Sequence, residues 1–104
     1  MAILTEEEFS KHVGTQFYAK FGESEADLTL AEVKGYMPEP AEEKKMERFS
    51  VFFVGQADSP LPQQIFQMRH ETMGEFEIFL VPIKNEVNGF RYEAVFNYFK
   101  HSDQ

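Results

Sequence analysis

Residues 75–99 read Glu75-Phe76-Glu77-Ile78-Phe79-Leu80-Val81-Pro82-Ile83-Lys84-Asn85-Glu86-Val87-Asn88-Gly89-Phe90-Arg91-Tyr92-Glu93-Ala94-Val95-Phe96-Asn97-Tyr98-Phe99, and this stretch decides the fold class. Phe76, Ile78 and Leu80 fall on one side of an extended chain, opposite Glu75, Glu77, Phe79 and Val81, which is the two-residue period of a β-strand. Asn88-Gly89 is a strong hairpin signal, because both central residues of a type I′ turn need positive φ. Strands over Glu75–Ile83 and Phe90–Phe99 are therefore expected to pair antiparallel.

Upstream the same period recurs. Phe49, Val51 and Phe53 alternate with Phe52 and Val54 in a strand predicted over Arg48–Val54. Three more strands are expected over Gln16–Phe21, Asp27–Lys34 and Gln63–His70, punctuated by Gly22-Glu23-Ser24 and by Asp58-Ser59-Pro60-Leu61-Pro62. The segment Met37–Lys45 is charged and broken by two prolines, and is expected to be the most mobile internal loop. Only the N-terminus reads as helix. Thr5 and Glu8 have the spacing of a capping box, Leu4 and Phe9 that of a hydrophobic staple, and Gly14 offers a stop after about two turns.

Short spacings between strands favour a meander of hairpins, since parallel pairing needs longer crossovers. The expected architecture is mostly β (α+β by strict count): a small antiparallel barrel or two-layer sandwich of about six strands, with a short N-terminal helix. The helix is expected to plug one end or lie across one face. At 104 residues the chain has room for one domain spanning 1–104, and its twelve Phe and four Tyr supply ample core. There is no cysteine, which excludes thiol nucleophiles, disulfides and cysteine-ligated zinc.

The charge balance narrows the partners. With 18 acidic and 10 basic residues the net charge is −8, so phosphate backbones and anionic lipids are repelled, and neither a nucleic acid nor a membrane is expected as partner. Met1-Ala2-Ile3-Leu4-Thr5 followed by three glutamates lacks the basic start and apolar run of a signal peptide, so a cytoplasmic location is expected.

No constellation for chemistry emerges. His12, His70 and His101 lack metal-ligand spacing, and His70 reads as a strand-end residue bonded to nearby backbone. Glu75, Glu77, Arg91 and Glu93 read as cross-strand charge pairs on a solvated face rather than as an acid-base pair. No serine sits in a Gly-flanked elbow, and the six glycines are isolated at element ends instead of forming a phosphate cradle. No enzyme activity, cofactor or metal is expected.

The segments Leu61-Pro62-Gln63-Gln64, Phe79-Leu80-Val81-Pro82 and Tyr92-Glu93-Ala94-Val95-Phe96-Asn97, together with His70, resemble a family of short uncharacterised bacterial domains of unknown function. The resemblance covers nearly the whole chain. It implies a short N-terminal helix and no catalytic residues, with a setting near phage-tail-like or tail-collar proteins.

One feature of the residues themselves points to function. Three strands carry a second apolar set, Phe52 and Val54, Phe79 and Val81, Val95 and Phe99. One face of a sheet cannot bury both sets, and the helix is too short to cover the surplus. Closure within the chain is one reading. The other makes these six residues an interface with another protein or in a homo-oligomer. A structural or interaction module is therefore expected, with a small barrel binding an apolar or aromatic molecule as the alternative.

Overall fold

The computed structural model describes residues 4–35, 46–87 and 89–99, and of Met46, Glu47, Tyr98 and Phe99 the backbone only. After a short helix α1 (Glu6–Ser10) come β1 (Gln16–Phe21), β2 (Ser24–Gly35), β3 (Met46–Gly55), β4 (Gln64–His70), β5 (Gly74–Glu86) and β6 (Gly89–Phe99). The strands close into an antiparallel barrel in the order β1-β2-β3-β6-β5-β4. The mostly-β reading and the barrel, of the two architectures expected, are what the chain adopts. The Met37–Lys45 loop lies outside the described residues.

The meander expectation needs correcting. Hairpins join β1, β2 and β3, and again β4, β5 and β6, but β3 does not pair with β4. Instead β3 pairs along its whole length with β6, from Met46↔Phe99 to Gly55↔Phe90, and β1 meets β4 at Tyr18↔Arg69 and Ala19↔Met68. The physical reason lies between Gly55 and Gln64. Pro60 and Pro62 cannot continue a ladder, and Leu61 between them is buried, its N–H donating to the Tyr92 hydroxyl at 2.6 Å. That segment is thereby fixed across the barrel end instead of turning back as a hairpin.

Alternation sets what lies inside. Phe17 and Ala19 of β1, Leu28 and Leu30 of β2, Phe49, Val51 and Phe53 of β3, Phe66 and Met68 of β4, Phe76, Ile78 and Leu80 of β5, and Tyr92 and Ala94 of β6 form one buried cluster. Four strands run longer than the periodicity predicts, β3 by Met46, Glu47 and Gly55 and β6 by Gly89 alone. β2 starts at Ser24, directly after a two-residue turn, and β5 continues to Glu86 through a register shift between Pro82 and Lys84. The irregularity at Pro82, which has no N–H to offer, lets the strand go on beyond it. Gly89 opens β6, paired with Glu86, rather than standing inside the turn; its φ is 137° and a Cβ there would run into the Gly55 carbonyl oxygen. Asn88 lies outside the described residues.

The helix plugs an end. Thr5 accepts from the Glu8 N–H at 3.1 Å, so half of the capping box forms. The other half does not: the Glu8 carboxylate faces Lys11 at 3.3 Å and His12 at 3.6 Å. Helical geometry stops at Ser10, short of the expected Val13. Phe9 is fully buried, its ring 5.5–6.3 Å from those of Phe17, Phe49, Phe76 and Phe96. A single aromatic side chain thus closes the barrel at the end where β2 stops and β3 begins.

Candidate functional site

Outward positions of β4, β5 and β6 carry the surplus apolar residues. Val95 is 63% exposed and Phe79 48%. Opposite Phe79 in the ladder stands Ile65 of β4, also 63% exposed. Val81 pairs with Glu93, and two residues further along each strand come Phe79 and Val95. These three side chains occupy corresponding outward positions on three successive strands.

The other expected interface residues are less open. Phe52 is half-buried beneath the Arg91 guanidinium, whose central carbon lies 4.6 Å from the ring centroid. Arg91 is held there by Glu32 and, at 3.7 Å, by Glu86. This cation covers an aromatic face that strand alternation alone leaves bare. Val54 and Val81 are half-buried, and the Phe99 side chain lies outside the described residues. Ile65 was absent from the expected set, although the alternation with buried Phe66, Met68 and His70 was the signal for it.

On the outer faces of the barrel several polar groups are paired. Ser50 donates to Glu93 at 2.7 Å, and Arg69 grips Glu25 through two bonds of 2.7 and 3.1 Å while lying over the Tyr18 ring. Arg69 holds the Glu25 carboxyl below its ordinary value, chiefly by hydrogen bonding. The expected cross-strand pairing on the outer faces is present, though with Glu25, Glu32 and Glu86 as acceptors rather than Glu75 or Glu77.

Two of the histidines come together, which their spacing in the chain did not signal. His12 follows α1 and His70 ends β4, with ring centroids 4.6 Å apart. His70 Nδ1 accepts from the backbone N–H groups of Thr72 and Met73 at 3.0 and 3.1 Å. Its proton therefore resides on Nε2, which donates to the Thr15 hydroxyl at 2.9 Å, and that hydroxyl donates in turn to the His12 carbonyl. Both ring nitrogens are engaged, so His70 has no lone pair for a metal or a substrate proton. Burial, and then the neighbouring His12, push its pKa below the usual histidine value. His12 Nε2 is buried without a hydrogen bond and faces the Glu8 carboxylate. Among the described residues no group of three His, Asp or Glu is placed to hold a metal ion.

No helix among the described residues is long and apolar enough to cross a membrane. Comparison with curated proteins and with solved structures gave no match. A family model covers the barrel from just before α1 to Phe96 in β6, matching residues 4–96, and by that match the chain belongs to the family described as Domain of unknown function (DUF6916).

Proposed function

We propose that this protein is a non-enzymatic interaction module that docks onto another protein, a second copy of itself included, through the outer face of β4, β5 and β6. The observation that carries this reading is the row of Ile65, Phe79 and Val95, each about half exposed or more, where a solvated sheet face would carry polar side chains. The engaged nitrogens of His70 support the non-enzymatic half. The resemblance suggests the setting, an accessory place in a phage-tail-like assembly. The alternative of an apolar ligand inside the barrel has less support, because Phe17, Phe53, Phe66, Leu80 and Tyr92 fill the interior.

The test places a photo-crosslinking amino acid at position 79 and reads the products by mass, beside light scattering over a concentration series. A crosslinked dimer, or one recurrent heterologous adduct lost when Ile65 and Val95 are changed to Ser, is expected. A monomer at every concentration together with no adduct in the native host overturns the proposal.

A further inference from the structure

At the barrel end opposite α1 the packed interior stops short of the rim. The β1–β2 hairpin and the segment after β3 stand around a cleft of about 530 Å³, within the range that holds small molecules. Its floor is the top of the core, where Leu28, Leu61 and Tyr92 are buried. Phe21 follows Phe17 and Ala19 at the next inward position of β1, yet it is 45% exposed, so the mouth holds an apolar ring that the chain itself leaves open. Gly55 lines the same floor without a side chain to fill it. A Cβ there would come 2.7 Å from Leu28 Cδ2 and 3.6 Å from the Tyr92 ring.

The inner lining carries no charge. Ladder register sets Glu25 opposite Lys20 and Asp27 opposite Tyr18, which turns both carboxylates to the outer surface, where Arg69 holds Glu25. Ser24, Ala26 and Leu28, which alternate with them, face in. The segment after β3 adds Gln56, Ser59 and Pro60 to the lining, all neutral. An ion in this place would give up its hydration with no counter-charge in return. One buried polar group has capacity left. The Tyr92 hydroxyl accepts from Leu61 N–H at 2.6 Å, and its own proton has no acceptor among the described residues. A buried donor left unpaired is a cost that a ligand's oxygen or nitrogen would remove.

We propose that this cleft binds a small neutral aromatic molecule bearing one hydrogen-bond acceptor, with its ring on Leu28, Leu61 and Phe21 and its acceptor taking the Tyr92 O–H. The site lies above the side chains that fill the interior, so their packing does not close it. It is also separate from the outer face of β4, β5 and β6, and its occupancy does not depend on docking there.

Four probes of similar shape decide it, titrated into the full ¹⁵N-labelled chain: acetophenone, ethylbenzene, benzoate and 1-phenylethylamine. Acetophenone is expected to shift the amides of Leu28, Gly55 and Leu61. Ethylbenzene lacks the acceptor and should bind about fivefold more weakly, as the loss of one neutral hydrogen bond requires. The anion and the cation should leave these amides unmoved at the same concentration. Gly55→Ala sets a methyl group against Leu28 and raises the floor, so it should weaken the ketone and the hydrocarbon alike, with circular dichroism on the same sample showing the barrel intact. The probe series on the unaltered chain decides the matter even where that variant fails to fold. No shift at millimolar ketone, shifts elsewhere on the barrel, equal binding of ketone and ethylbenzene, either ion bound as well as the ketone, or a folded Gly55→Ala chain that binds as before would each overturn the proposal.

Discussion

The rings of His12 and His70 lie 4.6 Å apart, one from the turn after α1 and the other from the end of β4. They join the plug to the wall. The linkage runs through Thr15, which bonds to both residues, so the protonation state of His70 bears on whether α1 stays seated.

Stability should therefore fall in mild acid. His70 is only 4% exposed, and its folded pKa is depressed by burial, then by His12, against a small opposing pull from Glu71. Its contribution is fully present above the unfolded value of about 6.5, and is lost by about 1.4 kcal/mol per pH unit as pH falls from there to the folded pKa. Urea denaturation at pH 7.5, 6.5 and 5.5 reads the slope, which His70→Gln should flatten. Glu25, also depressed, acts only below about 4.5 and does not enter this window.

Phe9→Ala should cost about 3–5 kcal/mol, the range for a large aromatic removed from a core. Four rings lose their common partner, and no other side chain of α1 is buried. Near-ultraviolet circular dichroism and a denaturation curve on the same sample check it. A loss comparable to that of an exposed-site mutant would mean that α1 is not the plug.

Phe53→Ala and Leu80→Ala, at two fully buried positions, should each cost about 2–5 kcal/mol. Thr5→Ala removes one cap bond and should cost only about 1 kcal/mol. Chemical denaturation of the three variants gives the order directly.

Tyr92→Phe deletes a single oxygen and leaves the buried Leu61 N–H without an acceptor, at a cost of about 1–3 kcal/mol. Hydrogen exchange at the Leu61 amide should rise well beyond what that global loss explains, because the tether of the segment after β3 is gone. Exchange that rises only in proportion to global stability would mean that Leu61 is held by packing alone.

What could be read from sequence follows from range. Alternation is local, so the inward sets Phe49, Val51, Phe53 and Phe76, Ile78, Leu80 were legible, as was His70 at a strand end. Pairing β3 with β6 was not, since nothing in either strand alone names its partner. The expectation of hairpins throughout failed at Pro60-Leu61-Pro62 for that reason. The exposure of outward apolar side chains was legible at Phe79 and Val95 by the same alternation. At Phe52 it was not, because the covering Arg91 stands on another strand and is oriented by Glu32 on a third.

The two lines along which the halves of the barrel meet are unequal. β3 and β6 are zipped over their whole length, whereas the ladder between β1 and β4 holds only the pairs Tyr18↔Arg69 and Ala19↔Met68. A cylinder with one long seam and one short one breathes at the short one. The β1–β4 edge is thus where the barrel exchanges its amide protons first and where a foreign strand could insert itself in a crowded or partly denatured sample. The Arg69–Glu25 clasp across that line, with Arg69 lying over Tyr18, then serves as a latch against misassembly more than as a source of folding energy.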